Sequence, residues 1–246
     1  MVGPVDPNDY LGGDSSGSGS AFDARELSLL QGLDLTVEEF QALSIFKAKL
    51  EFIQNNEISY LVLGDFSEYP KRRLNLVCSR LNGKKNTSAK TLIKLPQFEE
   101  LDDVSVKAKQ SNLETYLQFL SVAINVSAIV FVSEGRNAGS AVELGRITAT
   151  EMDPNQHQYF KKSYLAVRDY SDLSPEDIHR DHPSYDDLIS NQGNEAMLTN
   201  PRPYSSPQES MFEIFKRNGR YWEWGNRRSL WEVADEIHRI VADQNN

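Results

Sequence analysis

Five consecutive apolar residues, Ala128-Ile129-Val130-Phe131-Val132, constrain this chain more than any other segment. A run that short and that rich in β-branched side chains predicts a strand buried on both faces, as in a parallel sheet. A polar loop from Ser133 to Gly139 follows, then helical spacing of Ala141, Leu144 and Ile147-Thr148. Strand, glycine-bearing loop and helix, in that order, form the unit that builds ligand sites at the carboxyl edge of α/β sheets.

The same alternation runs through the rest of the chain. Ile58 to Leu63 predicts a first parallel strand ending at Gly64-Asp65, and Leu74, Val77 and Leu81 mark a helix closed by Gly83. Thr91 to Leu95 predicts a second strand, stopped by Pro96. After the acidic loop Glu99 to Asp103, a helix is expected from about Val106 to Ile124, and Tyr164 to Val167 supplies a fourth strand. Met211 to Phe215 and Arg220 to Trp224 read as short strands, and Leu230, Val233, Ile237, Ile240 and Val241 as one face of a final helix. Ahead of the core, Thr36-Val37-Glu38-Glu39 makes a capping box opening a helix through Phe40, Leu43, Phe46 and Leu50 to about Gln54. The expected fold is α/β: a Rossmann- or flavodoxin-like parallel sheet with helices on both faces.

Composition divides the chain further. Residues 1–22, with GGDSSGSGS at the centre, cannot bury a core and predict a disordered tail. Residues 23–56 form an N-terminal helical segment, 57–168 the α/β core, and 209–246 the strands and helix that complete it. Between them, residues 169–208 carry half of the chain's ten prolines and no sustained periodicity. Such a stretch reads either as a lid over the carboxyl edge or as a surface insertion serving self-association or no identifiable role.

A net charge of −10 over 246 residues argues against general nucleic-acid binding, which needs clustered Lys and Arg. The small basic clusters Lys71-Arg72-Arg73, Lys84-Lys85 and Arg227-Arg228 read as solvated faces. The single cysteine, Cys78, excludes an internal disulfide and a cysteine-based zinc site, and reads as a buried small hydrophobe. No apolar stretch reaches membrane-spanning length and no signal pattern opens the chain, so a soluble cytoplasmic protein is expected, with homo-oligomerisation left open. His179-Arg180-Asp181-His182 lacks a third ligand for a metal, and Tyr221-Trp222-Glu223-Trp224 with Trp231 reads as packing.

Two strand ends meet at the same edge. Gly64, Asp65 and Phe66 follow the first strand, and Ser133 and Glu134 the third. Gly64 permits close approach of a ligand, and the amides near Gly139 and Ser140 favour an anion. In the first turn beyond them stands Glu143, which the helix dipole would hold ionised. That suits a nucleophile or an electrostatic stabiliser, and equally a simple helix-capping acid. Glu134 is the local choice for acid or base assistance.

YLVLGDFSEYPKRR followed by SAIVFVSEGRNAGSAVELGRI resembles the nucleoside 2-deoxyribosyltransferase-like superfamily, including the N-glycosidase domains of retron-type effectors, with a looser likeness to archaeal proteins sharing the Asn-Ala-Gly segment. The match runs from about Ile58 to Glu151 and is best at Ala141-Val142-Glu143-Leu144-Gly145. It departs from the pattern at Val126-Ser127, where an acid commonly precedes the third strand. The usual acid near the second strand is matched only by order, by Asp102 and Asp103. The resemblance implies that Glu143 attacks the anomeric carbon of a nucleoside, nucleotide or dinucleotide and expels the base, without metal or cofactor. The alternative is a non-catalytic nucleotide-sensing or interaction domain of the same fold.

Deleting residues 1–20 is expected to leave the melting temperature unchanged, because such a segment makes few buried contacts. A thermal unfolding comparison checks this, and a large fall would show that the tail docks.

Overall fold

The computed structural model describes residues 30, 33, 35–66, 68–96, 100–103, 114–134, 141–170 and 204–245. The predicted N-terminal tail, the loop residues 135–140 and most of the stretch 169–208 lie outside them. In chain order the elements are α1 (Val37–Ala48), α2 (Glu51–Gln54), β1 (Ile58–Gly64), α3 (Glu68–Asn82), β2 (Thr87–Thr91), a 3-10 turn (Leu92–Lys94) and α4 (Glu114–Asn125). Then follow β3 (Ala128–Ser133), α5 (Ala141–Ala149), α6 (His157–Lys161), β4 (Ser163–Arg168), α7 (Ser206–Arg217), β5 (Tyr221–Trp224) and α8 (Arg227–Asn245).

All five strands run parallel, in the order β2-β1-β3-β4-β5. This is the flavodoxin-like winding, with the order reversing between β1 and β3. Every residue of β1, β3 and β4 is buried, which explains why their sequences are dominated by apolar residues, with polar ones near the strand ends. Side chains alternate between two cores. Leu61, Leu63, Ile129, Phe131, Leu165 and Val167 face α1, α2, α4, α5, α6 and α7. Tyr60, Val62, Ala128, Val130, Val132 and Ala166 face α3 and α8. The α/β sandwich expected from the sequence is the fold observed.

Three local expectations are corrected. The second strand is Thr87–Thr91, not Thr91–Leu95, and Leu92–Lys94 is a 3-10 turn. As an edge strand β2 alternates buried and half-buried residues, so its sequence is polar enough to hide it. Met211 to Phe215 belongs to the helix α7 rather than to a strand. Gln208 accepts hydrogen bonds from the Ser205 amide and hydroxyl, each at 2.9 Å, at the start of that helix, while Phe212 and Phe215 enter the core. The first helix is also not continuous to Gln54: Lys49 and Leu50 interrupt it before the short α2. Its capping box is as expected, with Thr36 Oγ1 accepting from the Glu39 amide and Glu39 accepting from the Thr36 amide.

The amino edge of the sheet is closed by polar ties. Ser59 and Ser127 exchange hydrogen bonds at 3.1 and 3.2 Å, joining the starts of β1 and β3. Lys162 donates to the carbonyls of Ile124 and Val126, satisfying acceptors at the end of α4. Among the described residues, no helix is long and apolar enough to cross a membrane.

Gly64, at the carboxyl end of β1, is fixed by packing. A Cβ there would lie 2.5 Å from the Val132 carbonyl oxygen and 2.7 Å from Leu74 Cδ2. Gly64→Ala is expected to cost about 1–3 kcal/mol through overpacking against β3 and α3. A denaturant-unfolding midpoint unchanged from the parent protein would refute that packing constraint.

Candidate functional site

Where β1 and β3 part at the switch point, the loops after them carry Asp65, Phe66 and Glu134 at the carboxyl edge. Phe66 is half-buried and packs against both cores. Glu134 is 3% exposed. Its Oε2 accepts a hydrogen bond from Arg168 Nη1 at 3.2 Å, and its Oε1 lies 3.7 Å from Arg73 Nε. Arg168, the last residue of β4, is as deeply buried, and its guanidinium lies over the rings of Tyr170 and Trp224 at 5.1 and 5.4 Å.

Two opposing influences act on the Glu134 carboxyl. Burial pushes its pKa up, the two arginines pull it down, nearby Asp65 adds to the rise, and the net direction is upward. A half-buried Arg73 on α3 is part of this arrangement, so one member of the basic cluster Lys71-Arg72-Arg73 faces the site and not simply solvent.

Tyr204 closes the edge from the far side of the long polar stretch. Its hydroxyl lies 3.1 Å from the Ser133 carbonyl and 2.9 Å from the Arg168 carbonyl, with one proton to share between adjacent strand ends. Its ring packs edge-on against Phe212, and Tyr170 lies nearby at 6.4 Å between centroids. Tyr170 and Tyr204, on either side of residues 171–203 in the sequence, therefore lie near one another at the carboxyl edge. The segment itself, with His179 and His182 and the lid expectation, lies outside the described residues.

The second carboxyl, Glu143, stands in the first turn of α5. One of its oxygens, Oε2, is buried and has no hydrogen-bond partner among the described residues. Burial raises its pKa, opposed by a hydrogen bond from its own backbone amide. The sequence led to the opposite emphasis, an acid held ionised by the helix dipole, whereas the net direction here is upward, with burial the larger influence. Tyr116 on α4 is perturbed by both Glu143 and Arg146, so phenol, carboxyl and guanidinium form a neighbourhood between α4 and α5. Neither Tyr116 nor Arg146 stood out in the sequence, because each occupies an ordinary helical position.

Ser133 ends β3 on the same side of the sheet as Phe131. It is 6% exposed and its hydroxyl has no hydrogen-bond partner among the described residues. Buried polar atoms are nearly always satisfied, and Ser133 Oγ and Glu143 Oε2 are exceptions among the described residues, as are Thr91 Oγ1, Ser121 Oγ and Trp224 Nε1. Gly139 and Ser140 lie outside the described residues.

Other sequence features fall elsewhere. Ser127 pairs with Ser59 at the amino edge, so an acid before the third strand would stand at the opposite end of β3 from Glu134. Asp102 and Asp103 line a separate cavity of about 380 Å³ beside β2, together with Lys49, Phe52 and Lys90. Trp224 is buried and Trp222 packs against Tyr164, in keeping with a packing role for that aromatic cluster. Cys78 is buried on α3, and burial pushes its thiol up to about 12, which leaves it inert. Among the described residues, no group of three or more His, Cys, Asp or Glu is placed to hold a metal ion.

A family model matches residues 24–184, from before α1 to beyond β4. The chain belongs to DUF8170, a family of unknown function. The matched span contains Asp65, Arg73, Glu134, Glu143 and Arg168, and stops short of Tyr204 and β5. No curated protein and no solved structure matches the chain.

Removing Arg168 would leave Glu134 buried without its hydrogen-bonding counter-charge. Arg168→Met is expected to destabilise the protein by about 3–5 kcal/mol near neutral pH. The sign of the pH dependence follows from the carboxyl. A raised folded-state pKa means that folding takes up a proton, so the variant should recover stability as pH falls towards the ordinary glutamate range. Denaturant unfolding of both proteins across that range checks it; a penalty that grows on acidification would show that Glu134 is not the group left exposed to the loss.

Proposed function

We propose that the carboxyl edge binds a nucleoside, nucleotide or dinucleotide and that Glu143 cleaves its N-glycosidic bond. The observation carrying this reading is the half-buried Glu143 carboxyl, in the first turn of the helix after the central strand, with one oxygen unsatisfied. A desolvated carboxylate is a stronger nucleophile than a solvated one, and the switch point of a flavodoxin-like sheet is where ligands enter. The likeness of Ala141 to Gly145 to the deoxyribosyltransferase-like superfamily supports the same assignment.

In the proposed reaction, an ionised Glu143 oxygen bonds to the anomeric carbon as the bond from that carbon to the base nitrogen breaks. The electron pair leaves with the base, which takes a proton from solvent. Water then attacks the glycosyl ester, releasing the sugar and restoring the carboxylate. Asp65 and Phe66 form the facing wall, with Gly64 setting its distance from β3, and Ser133 contacts the sugar. The amides near Gly139 and Ser140 remain the proposed anion subsite.

A second reading, non-catalytic nucleotide sensing, is favoured by one observation. Glu134, the carboxyl best placed by sequence to assist with a proton, is committed to Arg168 and Arg73 in a buried site. On that reading the edge binds its ligand and releases it unchanged.

Incubation with a panel of nucleosides, nucleotides and nicotinamide dinucleotide, followed by chromatography for free base, separates the two readings. Glu143→Gln is expected to reduce base release by many orders of magnitude. The same variant should be no less stable at neutral pH than the parent, since it removes a carboxyl whose ionisation burial opposes. The parent's rate should fall on acidification through a pKa above the ordinary glutamate value, because only the ionised form attacks. Undiminished base release by Glu143→Gln would remove it as nucleophile.

A further inference from the structure

The cavity of about 380 Å³ beside β2 is lined by three separate stretches of chain and includes none of Asp65, Glu134 and Glu143. Phe52 on α2 and Leu101 are buried and give it an apolar wall. Lys49, between α1 and α2, and Lys90 on β2 bring positive charge, and Lys90 Nζ stands 5.4 Å from the centre of the Phe52 ring. Asp102 and Asp103 bring negative charge to the same space. Among the described residues, neither lysine forms an ion pair with either aspartate. Opposite charges that line one cavity without pairing leave room between them for a ligand that carries both signs. Glu51 and Glu100 also line it, so the carboxylates outnumber the lysines by two and the lining favours a net positive ligand. The volume lies within the range of about 300–1,000 Å³ usual for small-molecule sites.

We infer that this cavity binds a free basic α-amino acid: lysine, arginine or ornithine. The ligand's carboxylate pairs with the ammonium groups of Lys49 and Lys90. Its α-ammonium and side-chain cation pair with the carboxylates, and its methylene stem lies along Phe52 and Leu101. A diamine would bring only like charge to the two lysines, and an apolar amino acid would leave the excess of carboxylates unanswered. Both lysines and all four acids are at least partly exposed, so these pairs are screened and binding should weaken as salt rises. The site is separate from the carboxyl edge and does not rest on the functional reading given for it.

Calorimetry on the full chain at low salt tests this with L-lysine, L-arginine and L-ornithine. Two controls each lack one pole: L-norleucine has no side-chain cation, and cadaverine has no carboxylate. At least one basic amino acid should bind about tenfold more tightly than both controls, the effect of one charge-assisted hydrogen bond. Lys49→Met combined with Lys90→Met should erase the advantage over cadaverine while keeping the apolar stems. Asp102→Asn combined with Asp103→Asn should weaken lysine binding more than norleucine binding. Melting temperatures establish that both double variants are folded, as expected for side chains without ion-pair partners among the described residues. Cadaverine or norleucine binding as tightly as the basic amino acids overturns the assignment. So does an absence of binding at millimolar concentration, or an affinity that neither double variant changes.

Discussion

Burial of the parallel sheet on both faces is the constraint from which the rest of this structure follows. All residues of β1, β3 and β4 are buried, so the sheet requires helices on both sides. With both faces covered, polar chemistry is confined to the strand ends. The amino ends are tied off by Ser59, Ser127 and Lys162. At the carboxyl ends the charged groups gather, and the reversal of strand order between β1 and β3 opens the space among them.

That edge holds two distinct electrostatic arrangements. Around Glu134, two arginines, two aromatic rings and the Tyr204 hydroxyl make an interlocked set spanning β3, β4, α3 and the start of α7. A buried ion pair of this kind adds little net stability compared with apolar packing, because desolvation offsets most of the attraction. What it does add is geometry: bidirectional contacts that set the spacing of strand ends. Buried polar atoms without a hydrogen-bond partner among the described residues occur beside both arrangements, Trp224 Nε1 at the first and Glu143 Oε2 at the second.

Gly64 stands at the same edge. Its sequence setting suggested room for a ligand, yet its lack of a side chain is used by the Val132 carbonyl and Leu74. Close strand packing at the switch point and close ligand approach make the same demand on a residue, so sequence alone cannot separate them. Here the packing demand is the one visible in the structure.

The sequence by itself determined the α/β class, four of the five strands nearly to their ends, the capped first helix and the long C-terminal helix. These rest on local signals: doubly buried strands are continuous apolar runs, and amphipathic helices repeat every three to four residues. It failed at β2, whose edge position leaves Thr87 to Thr91 without such a run, and at Met211 to Phe215, where the short apolar cluster outweighed the Ser205–Gln208 capping signal. It singled out Asp65, Glu134 and Glu143 as candidates, because acids beside a strand end or helix start carry a local meaning. Only the tertiary structure decided their partners. Arg73, Arg168 and Tyr204 come from a surface-like basic cluster, a strand end and a proline-rich stretch, and nothing in their neighbours in sequence distinguishes them. Their roles arise from long-range proximity and burial, which are properties of the folded chain and have no local periodicity to betray them.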